Sequence, residues 1–72
     1  MKLVINGEDV EVGDGLSVTE LLSDQNVKMP EMVSVEVNGK IVPRQEFENT
    51  NLAGDDKVEF LYFMGGGSGE SY

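Results

Sequence analysis

The chain has 72 residues, enough for one small, marginally stable domain without a deep catalytic cleft. It contains no cysteine and no histidine, which removes disulfides, thiolate nucleophiles and the commonest acid–base group and metal ligand, and makes the cytoplasm the expected compartment. Asp and Glu number 14 against 5 Lys and Arg, a net charge of -9, so nucleic acid and anionic membrane are disfavoured and a partner with a basic face is favoured.

In chain order, Leu3 and Ile5 alternate with Lys2 and Val4, and Val10 and Val12 with Asp9 and Glu11, which predicts two strands. Asn6-Gly7 between them tolerates positive φ and predicts a hairpin. Ser17-Val18-Thr19-Glu20 has the spacing of a capping box, with Leu16 and Leu21 placed as a hydrophobic staple. A short helix follows, apolar at Val18, Leu21 and Leu22; Asp24, Gln25 and Asn26 weaken it, and Pro30 turns Met29 from helical geometry.

Val33, Val35 and Val37 then alternate with Ser34 and Glu36, before the turn pair Asn38-Gly39 and a return segment Lys40 to Val42. Pro43 ends that segment or sits at an edge. The polar stretch from Arg44 to Asp56, broken by Phe47 and Leu52, reads as a connection with at most a short helical turn. The last strand is Lys57 to Met64, with Val58, Phe60 and Tyr62 on one face and Leu61 and Phe63 on the other. One helix cannot cover both faces. Leu61 and Phe63 beside Val4 therefore form an exposed patch for a partner, unless the polar connection folds over them. The start MKLVINGEDV lacks the features of a signal peptide, and no apolar run approaches the roughly 20 residues of a membrane span.

The strand Lys57–Met64 breaks into Gly65, Gly66 and Gly67, followed by SGESY. By themselves the glycines suit a mobile terminus or linker, and residues after Met64 are expected to be disordered. Asp14 and the pair Asp55-Asp56 suggest a cation site but lack the spacing of a calcium loop, so a solvated turn is the plainer reading. Tyr62 lacks a partner base for acid–base work and is expected in the core. The four methionines are scattered, and gap-filling is their default role.

The order strand, strand, helix, strand, strand, connection, strand is an α+β sheet with one packed helix. The words MKLVING, SVTELL, VSVEVNGKIVPR and GDDKVEFLYFMGGG, in that order and spacing, cover almost the whole chain to Gly67. Together they resemble the thiamine-biosynthesis sulfur carrier family, the ThiS-like members of the ubiquitin-like β-grasp fold. The resemblance implies a mixed sheet with the first and last strands parallel at its centre. The expected core is Leu3, Ile5, Val10, Val12, Val18, Leu21, Leu22, Val35, Val37, Val58 and Phe60. The domain would span 1–64, with a flexible tail 65–72 and a removable extension 68–72.

The resemblance also implies the chemistry. A ubiquitin-activating-type enzyme uses ATP to adenylate the C-terminal glycine, and sulfur then converts the acyl-adenylate to a thiocarboxylate. The carrier is a co-substrate rather than an enzyme, and no cofactor or metal would be bound by this chain. Gly67 would carry the sulfur and Gly65, Gly66 and Gly67 would thread a narrow channel, for which glycine has no Cβ to clash. Extended, Phe63 to Gly67 covers roughly 13 Å. Partner-binding residues would be Val4, Arg44, Leu61 and Phe63, with Arg44 otherwise paired to a nearby acid. Residues 68–72 depart from the pattern, because a peptide bond at Gly67 leaves no free carboxylate. Either a zinc-dependent JAMM-type protease trims them or they are foreign to the natural chain, and the cut follows Gly66 or Gly67. The sulfur acceptor is a synthase of thiamine thiazole or of a sulfur amino acid. The alternatives are a molybdopterin-synthase small-subunit-like carrier and a noncovalent ubiquitin-like module without sulfur transfer.

Overall fold

The computed structural model describes residues 1–62. Strands β1 (Lys2–Ile5) and β2 (Glu8–Glu11) form the first hairpin, and helix α1 spans Val18–Asp24. Strands β3 (Val33–Val37), β4 (Lys40–Ile41) and β5 (Lys57–Tyr62) complete one mixed sheet in the order β2-β1-β5-β3-β4. β1 and β5 are parallel neighbours, and the other pairings are antiparallel. This is the expected α+β arrangement. Phe63, Met64, the glycines Gly65, Gly66 and Gly67, and 68–72 lie outside the described residues, as does the expectation about their order.

Both hairpins turn on the residues that the sequence singled out. Asn6 and Gly7 have φ of 50° and 84°, and Asn38 and Gly39 have 53° and 84°, the double positive φ that matches the twist of paired strands. The capping box forms in both directions: the Ser17 hydroxyl accepts from the Glu20 amide at 3.1 Å, and the Glu20 carboxylate from the Ser17 amide at 2.9 Å. At its other end α1 stops through Asn26, in left-handed geometry at φ 57°. There the Asn26 amide donates to the Ser23 carbonyl at 3.1 Å and the Val27 amide to the Leu22 carbonyl at 3.0 Å, a Schellman closure. Pro30–Met32 forms a 3-10 turn that the alternation pattern did not foresee, seeded by proline's fixed φ at its first position.

The core is Leu3, Ile5, Val18, Leu21, Leu22, Val33, Val35, Phe47, Leu52, Val58 and Phe60. Three expected members, Val10, Val12 and Val37, only pack partly buried against it. Val10 belongs to β2, an edge strand with one neighbour, and a seven-residue helix is too short to cover that edge. Val33, Phe47 and Leu52 take their place. The connection brings in the last two because it hydrogen-bonds to the helix entrance: Val18 N–H to Thr50 C=O at 3.0 Å, Thr19 N–H to Phe47 C=O at 3.2 Å, and Leu52 N–H to Leu16 C=O at 2.8 Å. It therefore lies on the same face as α1. Burial of these apolar side chains, about 1.5–3 kcal/mol each, is the main force holding the connection down.

β4 is a residue shorter than the expected return segment, although the Val42 amide still donates to the Val35 carbonyl at 2.9 Å. Pro43 then turns the chain into a 3-10 turn, Arg44–Glu46. Tyr62 is corrected outright: it is 52% exposed rather than core, because it lies beyond the end of β1, where β5 has β3 alone beside it. The acids read as solvated turns occupy such positions. Asp55 has φ 68° and pairs with Lys2 at 3.4 Å, while Asp56 accepts from Ala53 N–H at 2.9 Å. Asp14 accepts from the Met1 ammonium at 2.9 Å, and this bond holds that ammonium's pKa above its ordinary value.

Candidate functional site

Of the partner-binding residues singled out by the sequence, Leu61 lies at the C-terminal end of β5, where the chain heads toward the glycines, whereas Val4 is level with the strand's first residue and Arg44 reaches β3 instead. Ahead of that end, from Lys57 to Phe60, the strand is gripped from both sides by the asparagines of the two turns. On one side the Asn38 amide donates to the Lys57 carbonyl at 2.7 Å, its side-chain oxygen accepts from the Lys57 amide at 3.0 Å, and its amide nitrogen donates to Asp56 at 3.0 Å. On the other, the Asn6 amide donates to the Val58 carbonyl at 2.9 Å, and the Asn6 side-chain oxygen accepts from the Phe60 amide at 2.9 Å. Sequence reading took these asparagines as turn formers only. Their second role follows from chain reversal beside β5, where the side-chain carbonyl substitutes for a departing main chain.

Opposite α1, the sheet face is bare. Leu61 projects there and is 40% exposed; its cross-strand neighbour on β3 is Ser34. Val4 is on the same face, half-buried, but its register partner on β5 is Lys57, four residues before Leu61. At about 3.3 Å per residue that separates them by roughly 13 Å, so the expected single patch of Val4 beside Leu61 does not form. Glu59 lies between them, directly opposite Glu36, and Ile41 pairs with Glu36 on its far side. Asp9 and Glu11, the register partners of Val4 and Lys2, add two more carboxylates. The face is thus acidic with separate apolar points, suited to a partner presenting cations around an apolar contact. The connection does not cover it.

Arg44 folds back along the domain surface while staying exposed. Its guanidinium donates to the Val33 carbonyl at 2.7 Å and the Pro30 carbonyl at 2.9 Å, and stands 5.2 Å from the centre of the Phe47 ring. Neither contact is with an acid, contrary to the ion-pair reading. The register explains the arrangement. β4 pairs Lys40 with Val37 and Ile41 with Glu36, and Val42 continues by bonding Val35. Arg44 is next in line for Val33, but Pro43 has bent the backbone away, so the side chain supplies the missing donors. Arg44 also lines an open groove of about 480 Å³ with Leu22, Val27, Pro30 and Phe47. Val33 pairs with Tyr62, so this clamp lies one strand from the end of β5.

Among the described residues, no three acidic side chains converge as a metal site, and no helix is long and apolar enough to cross a membrane. Phe63 and the three glycines, the remaining site residues, lie outside the described residues.

Known proteins resemble this chain over nearly all of its length. The model of the ThiS family matches residues 3–67. The crystal structure of the thiamine biosynthesis protein ThiS from Geobacter metallireducens superposes with a TM-score of 0.85 at 48% identity, covering 93% of this chain and 100% of that one. A thiazole synthase of Paramagnetospirillum magneticum is 38% identical over 71 residues, which are 99% of this chain and 22% of that protein. The chain therefore spans about a fifth of that relative's length. An uncharacterized protein of Porphyra purpurea, ycf40, is 31% identical with 93% of each chain covered.

Proposed function

This chain belongs to the ThiS family and has its sulfur-carrier fold, and from that premise we propose that Gly67 is the point of sulfur attachment. The observation that carries the reading is the reach of the family match, which runs through all three glycines and ends at residue 67. After removal of residues 68–72, the carboxylate of Gly67 attacks the α-phosphorus of ATP on a ubiquitin-activating-type enzyme and pyrophosphate leaves. Hydrosulfide or its donor equivalent displaces AMP from the acyl-adenylate, and the thiocarboxylate results. The chain is the co-substrate of these steps. Gly65 and Gly66 give the backbone close access to the nucleotide without a Cβ.

Thiamine thiazole formation is the favoured destination of the sulfur. Its support is that a region like this chain makes up a fifth of a protein named thiazole synthase, which argues that carrier and acceptor act together. Docking uses the bare face, with Leu61 as its apolar contact and Glu36 and Glu59 as its acidic ones.

The test compares the full chain with one ending at Gly67, each given the cognate adenylating enzyme, ATP and a sulfur donor. The shortened chain should gain the mass of one sulfur-for-oxygen exchange and the full chain should not, because only a free carboxylate can attack the phosphate. Gly67→Ala should bind the enzyme yet charge poorly, since misplacement at a reacting centre slows reaction by about a hundredfold. Equal charging of both chains, or of neither, would favour a noncovalent interaction module.

A further inference from the structure

We propose that the end of β5 is a receptor edge for one extended segment of the activating partner, which adds beside Phe60–Tyr62 in the slot that β1 leaves. The proposal rests on the carrier reading for the identity of the partner, but its argument is one of main-chain geometry. Along β5 the backbone groups alternate in direction. Those of Lys57 meet Asn38 on the β3 side, and those of Asp56 and Val58 meet Val4 and Asn6 on the β1 side. By the same alternation the groups of Leu61 face β3, while the Phe60 carbonyl and the Tyr62 amide face the β1 side.

β1 does not extend that far. Its pairing with β5 ends at Ile5 and Val58, and the Asn6 side chain caps the Phe60 amide as the hairpin departs. Beyond that cap the Phe60 carbonyl and the Tyr62 amide have no partner among the described residues. An acceptor and a donor two residues apart on a strand edge are complemented by another extended main chain. On its other flank β5 is paired with β3 as far as Tyr62, and the edge that β4 leaves on β3 is itself capped by Arg44, so of these edges the one beside Phe60–Tyr62 is open.

The side chains around the slot define the occupant. Leu61 on the bare face and Tyr62 on the helix side are both exposed and form apolar lips, and Glu59 precedes them. An added strand would place an apolar residue against Leu61 and a cation toward Glu59. A second copy of this chain is disfavoured, because each copy carries a charge of -9 and an acidic sheet face.

Amide exchange of the labelled full chain, alone and saturated with the cognate adenylating enzyme, tests the proposal. The Leu61 amide should be protected in both states, and exchange of the Tyr62 amide should slow by about tenfold or more in the complex. Tyr62→Pro deletes the donor without removing a bond among the described residues. It should melt as the parent does and bind the enzyme about tenfold more weakly, while Tyr62→Ala, which keeps the amide, should bind better than the proline variant. A complex in which Tyr62 exchanges as fast as in the free chain, or parental affinity of Tyr62→Pro, overturns the edge and leaves the carrier reading intact. Failure of any complex to form overturns both.

Discussion

The two faces of the sheet are made from the same five strands and treated oppositely. One carries Leu3, Ile5, Val33, Val35, Val58 and Phe60 under α1 and the connection, and every one of these is buried. The other carries Lys2, Val4, Lys57, Glu59 and Leu61, and none of the described residues lies over it. What differs is the supply of cover. A seven-residue helix alone could not shield five strands, and the connection adds Phe47 and Leu52 to the side where the helix already is. The covered face therefore holds most of the folding energy. The bare face is the proposed docking surface, and it even tolerates Glu36 opposite Glu59, a like-charge pair that costs stability.

The comparison is broken most severely from the covered side. Phe47→Ala should cost about 3–5 kcal/mol and Leu21→Ala about 2–5 kcal/mol by denaturant titration, a large share of what so small a domain has. If Phe47→Ala behaved as a surface change, the connection would not belong to the covered face. Arg44→Met keeps the stem over Phe47 but leaves the Val33 and Pro30 carbonyls without their donors, for a loss of about 1–3 kcal/mol. A loss confined to enzyme affinity would return Arg44 to the partner-binding set.

Leu61→Asp sharpens the contrast from the bare side. It should change the melting free energy by no more than about 0.5 kcal/mol while markedly weakening the enzyme complex measured by calorimetry. Substantial unfolding would show that Leu61 is structural. The smallest effect is one of pH. The Met1 ammonium is held above its ordinary pKa of 8.0 chiefly by its bond to Asp14, so its contribution is full below that value and fades as pH rises through the raised one. Melting curves across that window should converge for the parent and Asp14→Ala, because the variant lacks both the acceptor and its charge from the start.

Alternation and turn chemistry made much of this fold legible in the sequence. Asn6-Gly7 and Asn38-Gly39 specify turns by their backbone preferences, Ser17 and Glu20 a helix start by mutual capping, and Val33 to Val37 a strand by period. All of these act within a few residues, and all are found where they were expected. The glycines were proposed as a site for a different reason, the chain's likeness to a family whose match runs to residue 67. Tertiary structure decided what depends on distant neighbours. It made Phe47 and Leu52 core and Val10 peripheral, because burial follows which face the connection returns to. It exposed Tyr62, because β1 ends four residues short of it along β5, and parted Val4 from Leu61 through the register of a parallel pair. It gave Arg44 two carbonyls instead of an acid, because Pro43 bends the backbone out of a ladder that only the arginine side chain can still reach.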